Sequence, residues 1–419
     1  MRRRFLVLPP LAWALTVVAA PPEDTLRSWW KDNLATGSLF GFRDARGEHG
    51  LALGGRWRGI YSGVLAGENG SGSFFSQELA FAGRWDLAKL TRLEGLEGLS
   101  AFGGARYRQP GYYADPNNAV EGLGLFNPSR FTGGTGWRLA EFGLKYTTPE
   151  LFGREDLLSF KSGWVRPRQE FMDQDLTGFF INNAVASADG VAANIPFSTS
   201  FSTWGGTVEV RPAEWNSTKV GLFMSYPQGT DSNNNGLMFR GYTPDLSQNG
   251  LWFMAQTGAD AALGPGELPG NYVIGAYLYQ NGPGGSAGNQ TGLYLLSDQL
   301  VYREQPARGD IREQGLKIGT LFTFAPPYNN EFPIYGELNA VYTGALPRRD
   351  RDSAVFGIAY APAQQSPGAT YALAVEAGYR FRLNAWSWIQ PYAQYIVQPA
   401  GTPDVANASV IGLFMGVDF

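Results

Sequence analysis

Pairs of charged side chains two residues apart recur along this chain, as in Arg56 and Arg58 and again in Arg106 and Arg108. Residues two apart in an extended strand point to the same side, so each pair would share one face. Planar guanidinium groups beside carboxylates can hydrogen-bond a solute that carries many hydroxyl groups, and aromatic rings can stack on its apolar face. The same charged groups could instead only pair with one another and keep an aqueous interior wet.

Catalytic and metal chemistry have little support in the residue types. His49 is the only histidine, cysteine is absent, and no spacing of Asp and Glu favours a catalytic carboxylate pair. We therefore expect no enzyme, no metal and no cofactor. The formal net charge of -4 argues against a nucleic-acid partner.

The last twelve residues, 408–419, predict the kind of element that positions these side chains. Counting back by twos from Phe419 gives an apolar face, whereas Asp418, Gly416 and Gly412 fall on the opposite face. A strand of about ten residues with one apolar face and a terminal aromatic is typical of the closing strand of a transmembrane β-barrel.

Earlier segments supply partners for that strand. From residue 50 onward, stretches of alternating polarity are separated by Gly, Pro, Asn and Asp, and no long helical period appears. We predict about sixteen strands, near 50–63, 75–88, 98–109, 137–147, 156–166, 204–212, 218–227, 249–258, 271–281, 290–302, 314–324, 333–342, 353–361, 370–383, 386–397 and 408–419. An even number suits a bacterial single-chain barrel, and about sixteen strands leave room for an aqueous channel.

The gaps between predicted strands indicate the topology. With both chain ends in the periplasm, the longest gaps, near 110–136, 167–203 and 228–248, all follow odd-numbered strands, where outer loops belong. The predicted fold class is therefore all-β: a transmembrane antiparallel up-and-down β-barrel with long extracellular loops and short periplasmic turns. The apolar gap at 167–203 could fold into the barrel or cap its outer mouth.

Alternation also assigns one face of each strand to the barrel interior, because an Arg or Lys facing lipid at mid-bilayer costs about 2–4 kcal/mol. The interior should then be lined with charged and amide groups. The candidate pore-lining and substrate-binding residues are Arg56, Arg58, Glu78, Arg84, Arg106, Arg108, Glu141, Lys145, Lys161, Glu376, Arg380, Gln390 and Gln394. Rings of Arg select anions, whereas Arg interleaved with acidic and aromatic residues favours neutral hydroxylated solutes. Because Arg84 neighbours Glu78 and Asp86, and Arg380 neighbours Glu376, we expect neutral sugars.

The first residues predict export. Residues 1–20 read as a cleaved signal peptide, with the basic run at 2–4, an apolar segment and small residues at its end. Residues 21–49 form a lead-in with one short helix near 24–34, and 50–419 form the single barrel domain. The predicted location is the outer membrane of a Gram-negative-type bacterium, in contact with its lipids.

Several segments together resemble the carbohydrate-selective porin family of the OprB type, from about Ser38 to the end of the chain. The segments that carry the resemblance are 179–184, 235–239, 292–304, 342–350, 388–396 and 407–413. The resemblance implies a sixteen-stranded outer-membrane barrel that lets mono- and small oligosaccharides diffuse inward without an energy source. Carbohydrate solutes are then the expected partners. A homo-oligomer, such as a trimer, stays open because no segment identifies an interface.

Other functions also remain open at this point. The barrel could be a general or anion-preferring porin without sugar selectivity, an outer-membrane enzyme, or a plugged structural barrel. Flux of sugars, amino acids and anions would separate these alternatives.

Overall fold

The computed structural model describes residues 34–37, 47, 49–111, 120, 124–131, 135–172, 174–186, 194, 202–225, 250–264, 266–280, 289–304, 314–328, 330, 332–363 and 368–419. The predicted signal peptide at 1–20 and nearly all of the predicted helix at 24–34 lie outside these residues. Exposed His49 precedes the first strand, as its position in the sequence implies.

The described residues form sixteen antiparallel strands that close into one barrel, which confirms the predicted fold class. The strands are β1 Leu51–Ala66, β2 Gly72–Asp86, β3 Leu99–Pro110, β4 Gly136–Thr147, β5 Leu158–Val165, β6 Thr203–Ala213, β7 Asn216–Ser225, β8 Gly250–Leu263, β9 Leu268–Gln280, β10 Gln290–Arg303, β11 Gly315–Phe324, β12 Ile334–Thr343, β13 Ser353–Pro362, β14 Tyr371–Arg382, β15 Ser387–Val397 and β16 Ala408–Asp418. Each predicted strand coincides with one of them, with boundaries that differ by a few residues.

The C-terminal strand closes the barrel against β1. Arg56 pairs with Asp418 in the register, and Gly55 and Phe419 exchange backbone hydrogen bonds of 2.6 and 2.9 Å. A Cβ atom at Gly55 would stand 2.5 Å from the Phe419 ring, so the absence of a side chain there makes room for the terminal aromatic. The terminal Phe therefore lies on the outer surface of the seam.

Alternation along the strands matches the two environments of a barrel wall. In β10, Leu293 and Leu295 are exposed on the outer face, whereas Tyr294 and Leu296 between them are buried. The outer face is apolar, and the opposite face, which carries the charged side chains of β1–β3, is turned to the interior. This is the pattern of a membrane barrel. Within the described residues, no helix combines the length and apolar character that crossing a bilayer demands.

Connections at one barrel end are long and those at the other are mostly short. The gaps 111–135, 166–202 and 226–249 follow β3, β5 and β7, whereas β6–β7 and β8–β9 are joined by 214–215 and 264–267. We assign the end where Leu51 begins β1 as periplasmic. The described connections contain the helices Leu87–Thr91, Pro167–Phe171 and Asn183–Ala186 and the 3₁₀ helices Gly124–Phe126 and Asp175–Phe179.

Aromatic side chains fill the interior on one side of the barrel. Phe223 of β7 packs edge-on against Phe171 with ring centroids 5.9 Å apart, and Trp252 of β8 continues the contact to Tyr279 of β9. Phe171 belongs to the connection between β5 and β6 rather than to the wall. Because all four rings are almost fully buried, the interior beside them is packed. One open space lies beside β1–β3 and β14–β16. A second, of about 960 Å³, is lined by residues of β8–β12 together with Asp175, Leu176 and Phe179.

Candidate functional site

The described part of the connection between β5 and β6 folds into the barrel and narrows it. Pro167 begins its first helix, where a missing backbone N–H costs no hydrogen bond. Further along, the side-chain amide of Gln174 donates to the carbonyl oxygens of Thr320 (2.9 Å) and Ser297 (3.4 Å) on the opposite wall. Of the two placements that the sequence left open, the structure shows the inward one for the described residues 166–172 and 174–186. We call this segment the constriction loop.

Glu376 of β14 is the principal anchor of the constriction loop. Its carboxylate accepts hydrogen bonds from the backbone N–H of Ile181 at 2.9 Å and of Asn182 at 2.6 Å, and from the side-chain amide of Gln394 at 3.1 Å. All four groups are buried. Two backbone N–H groups and one side-chain amide share this buried carboxyl group, so the contact holds the loop against the wall.

Arg380, four residues further along β14 on the same face, anchors the loop a second time. Its guanidinium group donates to the carbonyl oxygen of Gly178 at 2.9 Å and to the side chain of Gln390 at 2.8 Å. The group also lies between two rings, 4.1 Å from the centroid of Phe179 and 3.8 Å from that of Trp388. Gln390 in turn donates to the Phe179 carbonyl at 2.7 Å, so wall and loop form one hydrogen-bonded unit.

A third anchor lies on β12. The hydroxyl group of Tyr335 donates to the carbonyl oxygen of Ala184, and the side-chain amide of Asn339 donates to that of Val185 at 3.4 Å. Glu337 between them lies 3.2 Å from the Tyr335 hydroxyl oxygen and accepts a hydrogen bond from Asn339. The helix Asn183–Ala186 is thereby fixed against β12 by polar contacts that are all buried.

Between the constriction loop and the walls of β1–β3 and β14–β16 lies a cavity of about 440 Å³. Among the described residues, nine arginines and three acidic residues line this cavity together with four aromatic rings. The arginines are Arg56, Arg58, Arg106, Arg108, Arg130, Arg166, Arg168, Arg380 and Arg382. The acidic residues are Glu78, Asp175 and Asp418, and the rings are those of Phe131, Phe179, Trp388 and Phe414.

Glu78 is the centre of the charge network on the β1–β3 wall. It forms a direct ion pair with Arg108, and its carboxylate oxygens lie 3.5 Å from Arg106 and 3.6 Å from Arg56. The register of β1, β2 and β3 brings these side chains level across three neighbouring strands. Arg58 pairs instead with Asp418 across the closing seam, at 2.6 Å.

A second group of charges extends the network along β4 and β5. Lys161 lies 2.6 Å from Glu170 of the constriction loop and 3.7 Å from Glu141. Glu141 also lies 3.6 Å from Arg166, where the loop begins. Glu141 and Arg166 line a neighbouring cavity of about 400 Å³ that shares Arg56, Glu78 and Arg106 with the first.

Two of the candidate residues lie away from this constriction. Arg84 and Lys145 line a separate cavity of about 250 Å³ at the periplasmic end, together with Asp86. Sharing a strand face with Glu78 does not bring Arg84 close to it, because six residues along a strand span about 20 Å. Arg84 therefore does not neighbour Glu78, and this basis for the expectation of neutral solutes is wrong.

Three other candidates face the interior but are covered. Glu376, Gln390 and Gln394 are at most 4% exposed because the constriction loop lies over them. Besides their contacts with the loop, Gln390 accepts a hydrogen bond from Arg380, and Gln394 donates to Glu376 and to the Pro128 carbonyl. Of the remaining candidates, Arg380 lines the first cavity. Ion pairs around the two cavities join the others, which are Arg56, Arg58, Glu78, Arg106, Arg108, Glu141 and Lys161.

Sequence alternation missed the arginines that the connections contribute. Arg130 donates to the carbonyl oxygens of Thr177 and Phe180, at 2.7 and 3.0 Å, and so joins the connection after β3 to the constriction loop. Burial, and then the charge of Arg168, lower the pKa of Arg130 below its ordinary value. Only the clustering of arginines at 166–168 beside a long apolar gap could have pointed to them.

Arg138 of β4 was missed for a different reason. The pairing of β3 with β4 shifts at Gly104 and Ala105, so Ala140 is an extra residue on the β4 side. Such a bulge reverses the alternation, and both Arg138 and Glu141 face inward although they are three residues apart. In the part of the chain that the structure describes, no three His, Cys, Asp or Glu side chains are grouped in a way that could hold a metal ion.

Comparison with known proteins agrees with this architecture. The family model of "Carbohydrate-selective porin, OprB family" matches residues 74–419. The chain is similar to the high-pH structure of Pseudomonas putida OprB, with a TM-score of 0.79 and 20% identity over 93% of this chain and 99% of that chain. The low-pH structure of the same protein gives a TM-score of 0.58 and 18% identity with the same coverage.

Salmonella typhi OmpF in complex with daunomycin is more distantly similar, with a TM-score of 0.53 and 12% identity over 89% of this chain and 99% of that chain. No match is found among curated proteins. At these identities the solved structures support the barrel fold alone. The family model, in contrast, spans most of the sequence, and the chain therefore belongs to the carbohydrate-selective porin family of the OprB type.

Proposed function

We propose that this outer-membrane porin lets carbohydrates, from monosaccharides to small oligosaccharides, diffuse passively through the space beside the constriction loop. The observation that supports this proposal is the composition of the cavity wall, where nine guanidinium groups of the described residues lie together with aromatic rings, of which Phe179 is partly exposed. Guanidinium groups donate several hydrogen bonds in fixed directions, which suits hydroxyl-rich solutes, and the rings suit the C–H faces of sugars. Diffusion through such a channel consumes no energy and calls for no catalytic group.

The remaining parts of this proposal concern export and assembly. We include the cleaved signal peptide at 1–20, the barrel domain at 50–419, and contact of the outer face with membrane lipids. Sequencing the N-terminus of protein purified from outer membranes checks the cleavage, which we expect after residue 20. A self-associated barrel, such as a trimer, is an open question that crosslinking in native membranes answers.

The proposed solute class is tested by flux into liposomes that contain the purified protein. We expect glucose and a disaccharide to enter faster than a neutral amino acid of similar size when all are supplied at equal gradients. Liposomes without protein provide the background. Flux that follows molecular size alone would contradict carbohydrate selectivity and leave a general porin, and the absence of any flux would indicate a plugged barrel.

A further inference from the structure

We propose that the constriction favours carbohydrates that carry a carboxylate, the sugar acids, over neutral sugars of the same size. This inference rests on the proposed function and specifies its substrate class. It starts from the charge of the cavity wall, where the nine arginines exceed the three acidic residues by six among the described lining residues.

The acidic side chains of the wall are already engaged with cations. Glu78 contacts three arginines, and Asp418 lies 2.6 Å from Arg58. Asp175, the third acidic residue, pairs with Lys317 at 2.8 Å and is 82% exposed. Glu141, which does not line this cavity, lies 3.6 Å from Arg166 and offsets one more positive charge. A smaller positive excess of the arginines therefore remains facing the cavity.

Some of the arginines are held by neutral acceptors, which leave their charge uncompensated. Arg380 donates to a side-chain amide and a backbone carbonyl, and Arg130 donates to two backbone carbonyls. Arg56 is half exposed, and Glu78 beside it is already shared with Arg106 and Arg108. A half-exposed guanidinium group of this kind can take a solute carboxylate as a bidentate partner.

The size and the lining of the cavity argue against the simpler interpretation that it accepts any small anion equally. At about 440 Å³ it has room for more than an inorganic ion, and four aromatic rings contribute to its wall. Phe131, Trp388 and Phe414 are buried, whereas Phe179 is partly exposed and can contact the C–H face of a sugar, which an inorganic anion lacks. Positive charge and aromatic surface together specify a solute that is both hydroxylated and anionic.

The experiment is tracer exchange of glucuronate and of glucose into liposomes at equal concentrations inside and outside, so that no net charge moves. We expect glucuronate to exchange about threefold to tenfold faster than glucose at low salt, and the ratio to approach one at 1 M salt as screening removes the attraction. Lactate is an anion without a sugar ring. Because lactate is smaller than glucuronate, size alone predicts that it exchanges faster, and we expect its rate to exceed that of glucuronate by less than the size difference predicts.

A variant pair isolates the contribution of the cavity charge. Arg56→Gln combined with Arg382→Gln removes two charges from partly exposed positions, and we expect the glucuronate-to-glucose ratio to fall about threefold. Arg303→Gln is the matched control, because Arg303 is exposed at the end of β10 and does not line the cavity. Its ratio should equal that of the unchanged protein.

Different results would contradict the sugar-acid preference and the carbohydrate porin function. Glucose exchange equal to or faster than glucuronate exchange, with both faster than a neutral amino acid, would overturn the sugar-acid preference and leave the carbohydrate porin intact. A ratio that does not respond to salt or to the double substitution would also overturn it. Sugars that exchange no faster than the amino acid would overturn the proposed function itself.

Discussion

Replacing Glu376 with alanine should release the constriction loop and raise the single-channel conductance. The substitution removes the acceptor of the Ile181 and Asn182 backbone N–H groups, both of which are buried. A buried donor left without a partner costs about 1–3 kcal/mol, so two such groups weaken the attachment of the loop by roughly 2–6 kcal/mol. Conductance recorded in planar bilayers, with its open-state noise, measures the result.

Two comparisons make this expectation specific. Glu376→Gln keeps one carbonyl oxygen as an acceptor, so its conductance should fall between that of Glu376→Ala and the unchanged protein. Glu155→Gln changes an exposed carboxylate in the connection between β4 and β5, far from the loop, and should leave conductance unchanged. If Glu376→Ala conducts like the unchanged protein, the remaining contacts on β12 and Arg380 hold the loop without this anchor.

Replacing Glu78 with glutamine should destabilise the barrel rather than open it. Arg106 and Arg108 have side chains only 7% and 6% exposed, and Glu78 is the carboxylate that both contact. Removing one partner of a buried ion pair costs about 3–5 kcal/mol because the other charge stays buried without compensation. The temperature at which the barrel loses its folded migration on electrophoresis gels measures the loss.

The matched control for that substitution is Glu94→Gln, which changes an exposed carboxylate in the connection between β2 and β3. We expect it to unfold at the temperature of the unchanged protein. Equal unfolding temperatures for Glu78→Gln and Glu94→Gln would mean that Arg106 and Arg108 are held by other groups, and Glu78 would then not be the centre of the network.

The wall of the barrel could be predicted from the sequence because the direction of a side chain in a strand depends on its neighbours in the sequence. Alternation within β14 and β16 places each side chain inward or outward without knowledge of any distant residue. The same rule placed Arg56, Arg58, Arg106 and Arg108 on the interior face. It failed at Arg138, where the bulge at Ala140 shifts the alternation by one residue.

The constriction could not be predicted in the same way because its contacts are distant in sequence. Ile181 and Glu376 are 195 residues apart, and Gln174 and Thr320 are 146 apart. The alternation of polar and apolar residues in either segment does not indicate which distant residue it contacts. The covered positions of Gln390 and Gln394 follow from the placement of the loop, and so does the concentration of arginines around the remaining space.

The most direct test of the whole account uses a single cysteine in the cavity, because the chain has none of its own. Gln169 is an exposed residue of the constriction loop that lines both cavities. In Gln169→Cys, a bulky methanethiosulfonate reagent should abolish most glucose flux into liposomes, and glucose present during labelling should slow the reaction. Glu150→Cys, exposed in the connection between β4 and β5, should react without loss of flux. Glucose flux that persists after complete labelling at position 169 would show that solutes do not pass beside the loop, and would contradict the account.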